Sequence, residues 1–218
     1  MKKCLRSFIV SLFIASLSLA SSVFAGISAN VNTIEESEHL WTYEFGVAFL
    51  TENTIGEILT GTITRDSTDS GGEVYQFTAT RFLSTLPVKI GDHTYHPLLE
   101  MPLCLEVVDE NSRDSFLNYN ASLQCRWVDF PWNDRVKTTF AAGLGLSYSE
   151  KLYLNDVRFH SNDERSHLKF NLPVSFTFAR PSHPNQELVI YIAHHSGGFG
   201  TFDRGGVNSL GMGMRYQF

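Results

Sequence analysis

The chain has 218 residues, 43% of them hydrophobic and 13% aromatic, with 17 Lys+Arg against 23 Asp+Glu and a net charge of −6. That length suits a single domain, and an acidic balance without a basic stripe argues against nucleic acid as a partner. Beyond residue 25 there is no apolar run of about 18 residues, so no membrane-crossing helix is expected there.

At the start, Lys2, Lys3 and Arg6 precede an apolar run from Phe8 to Leu19, and Val23-Phe24-Ala25 is a small-x-small cleavage site. The pattern predicts an export signal over residues 1–25, cut before Gly26. Its apolar core is shorter than the ~20 residues a spanning helix needs, and Cys4 stands ahead of the run rather than at the cut, so no lipid anchor is indicated. The predicted mature chain, 26–218, loses three of the 17 basic residues, leaving 14 against 23 acidic ones and a net charge of −9.

From Trp41 onward apolar residues recur at every second position, the period of a strand with two unlike faces. This alternation predicts strands over 41–50, 74–83, 98–107, 117–130, 140–149, 168–178, 186–196 and 209–218, with weaker patterns in the second and seventh. In the sixth, Leu168, Phe170, Leu172, Val174, Phe176 and Phe178 share one face, and Lys169, Asn171, Pro173, Ser175 and Thr177 the other. No helix, repeat or interdomain linker is expected.

A soluble sandwich and an outer-membrane barrel both alternate in this way. Three features favour the barrel. Many strands reach the roughly 9–11 residues that cross a bilayer at a tilt; the polar faces carry Glu44, Glu100, Glu106, Arg126, Lys169 and Arg215; and the chain stops on Tyr216-Gln217-Phe218. The terminal aromatic Phe218 resembles the assembly signal of bacterial outer-membrane barrels. The expected fold is therefore all-β, an eight-stranded antiparallel up-and-down transmembrane β-barrel over 26–218. With both termini periplasmic, outer loops fall at 51–73, 108–116, 150–165 and 197–206, and inner turns at 84–97, 131–135 and 179–185; the first inner turn is long for such a barrel.

Cys104 shares the polar face with Glu100 and Glu106, whereas Cys125 falls on the apolar face with Leu123 and Trp127. An oxidising envelope permits a disulfide, but opposite parities disfavour it.

The stretch YIAHHSGGFG, 191–200, carries the main chemical candidates. Leu188, Ile190 and Ile192 lie on the apolar face, and the same parity continues to His194 and Ser196, while His195 points the other way. Residues two apart on one face are ~6.5–7 Å apart along the backbone, within reach for an imidazole and a hydroxyl. A polar pair on the lipid side marks a functional site unless the apolar band simply ends at Ile192, and parity alone leaves both readings open. The other polar groupings are weaker. His160, Ser161 and Asn162 sit in an expected loop, and His93 and His96 lack a third metal ligand. The loop acids Glu52, Glu57, Asp66, Asp69, Glu73, Asp156, Asp163 and Glu164 read as solvated, or as meeting lipopolysaccharide phosphates through divalent cations. Neither Gly-x-Ser-x-Gly nor His-Glu-x-x-His occurs.

The segment AHHSGGFGTFDRGGVNSLGMGMRYQF, 193–218, is similar to the C-terminal signature of the lipid A 3-O-deacylase family: His-x-Ser closing a penultimate strand, a glycine-containing loop, and a last strand ending in an aromatic. The match is strongest over 191–218; WTYEFGVAFL and AAGLGLSYS fit the family's glycine-broken strands more loosely. The resemblance implies a carboxylic ester hydrolase of the bacterial outer membrane that modifies lipopolysaccharide by removing an ester-linked acyl chain from lipid A, with no cofactor and no metal. It implies Ser196 as nucleophile and His194 as general base. The family's third member, a glutamate twelve residues after the serine, is here Asn208, which shares parity with Leu210 to Phe218 and can orient an imidazole through its carbonyl. Asp203, the one carboxylate nearby, would have to fold back from the loop. The family's asparagine after the serine is here Gly197, so an oxyanion hole falls to backbone N–H groups of Gly197, Gly198 or Phe199. The implied partners are lipid A or lipopolysaccharide of the outer leaflet, and a homodimer is compatible with this reading. Two other readings stand beside it: a catalytically silent barrel with a structural or adhesive role, and a phospholipid esterase.

Overall fold

The computed structural model describes residues 41–159 and 164–217. The predicted export signal, residues 160–163 and the terminal Phe218 lie outside the described residues.

Each alternating stretch forms a strand: β1 (Trp41–Thr51), β2 (Gly72–Thr85), β5 (Leu98–Glu110), β6 (Phe116–Trp127), β7 (Lys137–Ser149), β8 (Leu168–Arg180), β9 (His183–Ser196) and β10 (Gly206–Gln217). Every neighbouring pair is antiparallel, and β1 pairs with β10 from Thr42↔Gln217 to Thr51↔Asn208, closing the sheet into an eight-stranded barrel. Closure removes the exposed edges that an open sheet would offer to other chains.

The period-2 pattern sorts side chains between two walls. Outward lie Phe45, Leu123, Leu144 and Met212, each more than half exposed, and nothing in a soluble core would leave so many large apolar groups uncovered. Inward lie the polar residues, which fill a barrel of this size with side chains rather than leaving a channel. At the end where β1 begins and β10 finishes, Arg215 donates to Glu100 at 2.9 Å and to Glu187 at 3.3 Å. Arg126 donates to Glu100 at 2.9 Å and to Thr139 at 2.8 Å. At the opposite end an apolar cluster of Leu50, Val74, Val108, Phe116, Tyr153 and Val207 closes the interior, with the Phe116 and Tyr153 rings edge to face at 5.3 Å.

Loop lengths differ between the ends. The turn between β8 and β9 is two residues, 181–182, whereas the opposite end carries segments 52–71 and 150–167. Two features depart from expectation. The segment expected as a single long inner turn holds a small hairpin, β3 (Val88–Ile90) and β4 (His93–Tyr95), which packs Tyr95 on Trp127 at 4.8 Å. The expectation of no helix is also corrected: α1 (Ile55–Leu59) and α2 (Leu154–Phe159) lie in the long loops. Both are too short for a helical period to show. α1 is held by a capping box in which Glu57 N–H donates to Thr54 Oγ1 at 3.3 Å and Thr54 N–H to Glu57 Oε2 at 2.8 Å.

The loop acids are not uniformly solvated either. Asp66 and Asp156 are fully buried. Asp66 accepts from Thr68, Ser70 and Asn155; burial pushes its carboxyl up, and these hydrogen bonds outweigh that and hold it below the usual aspartate range. Cys104 and Cys125 are both free.

Candidate active site

Strand parity places the candidate residues. His195, 3% exposed, points into the barrel, where its ring lies 6.0 Å from that of Tyr153. His194 and Ser196 are half-buried on the outer wall. The register puts Asn208 directly opposite His194, in a rung that runs Thr51, Asn208, His194, Leu172 across four strands.

His194 Nδ1 lies 2.6 Å from Asn208 Oδ1. The amide's orientation follows from its other end, because Asn208 Nδ2 donates to the Asn53 carbonyl at 2.8 Å. A carbonyl oxygen can only accept, so Nδ1 of His194 carries the proton and Nε2 keeps its lone pair. Asn53 therefore sets the imidazole tautomer through Asn208, across 155 residues of sequence. Sequence reasoning missed Asn53, since it contributes a backbone carbonyl from a loop and leaves no local signature.

Ser196 Oγ accepts the Gly198 N–H at 3.2 Å. No hydrogen bond joins His194 to Ser196 among the described residues. Nucleophile–base contacts are often long in an unliganded enzyme and tighten around substrate.

The loop after Ser196 runs through the left-handed region at Gly198 (φ 69), Phe199 (φ 55) and Gly200 (φ 102). Gly198 is required there, because a Cβ would strike the Phe170 ring as well as strain the backbone. Phe199 has no such freedom, yet its side chain is fully exposed at the loop tip, a conformation that costs about 1–3 kcal/mol. Of the three N–H groups considered for an oxyanion hole, that of Gly197 is committed to the Gly205 carbonyl at 2.8 Å, and that of Gly198 is directed at the Ser196 hydroxyl.

Asp203 does not fold back to His194. Its Oδ2 accepts from Lys169 Nζ at 2.5 Å and from Ser166 N–H at 2.9 Å, and its Oδ1 accepts from Gly205 N–H at 2.8 Å. Burial pushes its carboxyl up, but Lys169 and the two N–H donors hold it below the usual aspartate range. The loop is thus clamped to β8 beside the candidate serine. Among the described residues no group of three or more His, Cys, Asp or Glu could hold a metal ion, and His93 and His96 stay apart from the site on the far end of the barrel.

No protein-family model matches the chain, and no curated protein sequence matches it significantly. Among solved structures it is similar to the outer membrane enzyme PagL, with a TM-score of 0.53 and 11% identity over 81% of this chain and 99% of that one. It is also similar to Neisserial surface protein A, with a TM-score of 0.46 and 13% identity over 82% and 96% of the two chains. At such identities the likeness to PagL is one of fold: an eight-stranded barrel of the outer-membrane kind.

Proposed function

We propose that this protein is an outer-membrane ester hydrolase that removes an ester-linked acyl chain from lipid A, with Ser196 as nucleophile, His194 as general base and Asn208 holding the imidazole. The observation that carries the reading is the His194–Asn208 pair at 2.6 Å on the outer wall, with Ser196 two residues further along the same face. A fold like that of an outer membrane enzyme is consistent with it.

In the proposed reaction Ser196 Oγ attacks the ester carbonyl while its proton passes to His194 Nε2. The tetrahedral oxyanion is met by backbone N–H groups of Gly198 and Phe199, Gly198 releasing the hydroxyl as the bond forms. Collapse breaks the ester C–O bond, and the departing sugar oxygen takes the proton from His194. Water, deprotonated by the same ring, then attacks the acyl-serine; the fatty acid leaves and Ser196 is restored. No cofactor enters either half.

A silent barrel is the competing reading, and two observations favour it: the neutral Asn208 lends imidazolium no charge, and Ser196 bonds to Gly198 rather than to His194. Mass spectrometry of lipid A from cells with and without this protein decides between them. The hydrolase reading expects loss of one acyl mass that returns in Ser196→Ala cells; identical lipid A in all three overturns it. Fatty acid released from phospholipid alone selects the phospholipid esterase.

A further inference from the structure

The barrel interior is unequally charged. Between the Arg126–Arg215 layer and the apolar closure, four inward carboxylates, Glu44, Glu100, Glu106 and Glu187, share two guanidinium groups. Glu100 and Glu187 make the direct ion pairs with both, and Glu44 feels the two arginines only at longer range. Glu106 is held by the amides of Asn118, at 2.6 Å, and of Asn120, and Glu44 by that of Gln76, at 2.6 Å. Lys169 is not available, since Asp156 and Asp203 hold it at the loop end.

Glu44 and Glu106 both face the interior, from β1 and β5 on either side of β2. Glu44 faces Thr78 and Cys104 across β2 and β5, and Glu106 faces Gln76 and Gly46 two residue pairs along. Both line an interior cavity of about 60 Å³ together with Asn120, Ser122 and Tyr191, several times the space one water needs. Two further groups point to an occupant. The Ser122 Oγ and the Tyr191 hydroxyl, each on a residue 6% exposed, find no protein partner. Tyr191 reaches the cavity over Gly211, where a Cβ would collide with its ring.

We propose that this cavity binds one hard divalent cation, of the calcium or magnesium class, between the carboxylates of Glu44 and Glu106, with oxygens of Asn120, Ser122 and Tyr191 and trapped water completing the shell. An all-oxygen donor set selects hard cations, and two positive charges balance the two carboxylates that make no direct ion pair with arginine.

The test is refolding from urea into lipopolysaccharide-free detergent with Ca²⁺, with Mg²⁺, or with EDTA, followed by gel filtration, elemental analysis and thermal unfolding. One divalent ion per chain should be retained, and the unfolding midpoint should exceed that of the EDTA sample. In Glu44→Gln and Glu106→Gln retention should fall to background and the EDTA difference should vanish. Ser122→Ala, which keeps the charge, should reduce retention about tenfold, while Glu57→Gln on α1 should change nothing. Wild-type protein with no retained metal and no EDTA effect overturns the proposal, and needs no variant to fold. Full retention in both glutamine variants overturns it too, placing the ion on the loops. A protonated-carboxyl infrared band lost in Glu106→Gln also overturns it, protons then supplying the balance.

Discussion

His194 and His195 are neighbours in sequence, yet one stands on the outer wall held by Asn208 and the other is sealed inside beside Tyr153. The two walls obey opposite rules. The inner wall is polar and crowded, and its charges are held by hydrogen bonds, so changes there act on stability. The outer wall is apolar and smooth, so its few polar side chains are conspicuous, and changes among them should act on chemistry.

The largest expected effect tests that division directly. Ser196→Ala and His194→Ala should each lower fatty acid release by roughly 10⁴-fold or more, whereas His195→Ala should stay within a few-fold. A dead His195→Ala with normal heat-modifiable mobility would reverse the assignment of walls.

Next comes the inner wall. Arg215→Ala leaves Glu100 and Glu187 buried with fewer counter-charges and should destabilise by about 3–5 kcal/mol, measured by urea unfolding in detergent micelles. Met212→Leu, on the outer wall, should shift the same curve by less than about 0.5 kcal/mol. Equal shifts would mean the interior network contributes nothing particular.

A smaller effect is expected at the residue that joins His194 to the loop. Asn208→Ala frees the ring and should cost about 10- to 100-fold in kcat. Asn208→Glu adds the charge that steadies imidazolium, but sets a second carboxylate oxygen against the Asn53 carbonyl, so its gain should stay below about tenfold. An unchanged kcat in Asn208→Ala would remove the residue from the mechanism.

The smallest effect concerns acid. Asp203 titrates below the usual aspartate range, so its clamp on the 197–205 loop is fully present above that range and is lost as pH falls through the depressed value. Limited proteolysis of the loop should therefore stay slow while ordinary aspartates protonate and quicken only at lower pH. Asp203→Asn should be cleaved readily at neutral pH and show no such step.

Alternation made the eight strands legible because two solvents, lipid outside and packed polar side chains within, impose opposite demands on successive residues. The parity of His194, Ser196 and Asn208 followed from the same rule. Other features were present in the sequence but overlooked: Thr54-x-x-Glu57 is a capping-box pattern, and Gly91-Asp92 between Val88–Ile90 and His93–Tyr95 is a two-residue hairpin signal. Asn53 and the Lys169–Asp203 clamp were not readable. They depend on which loops meet after the barrel closes, and no local period records that.

The catalytic pair proposed for the outer wall, rather than for the interior, has no aqueous mouth. A lipid substrate of the proposed kind would reach Ser196 sideways, by two-dimensional diffusion past the apolar strands β8 to β10. Encounter frequency then follows the mole fraction of substrate in the surrounding film, not its concentration in the vessel. Diluting that film with inert amphiphile would slow the reaction at constant total substrate, as a crowd thins when the floor widens.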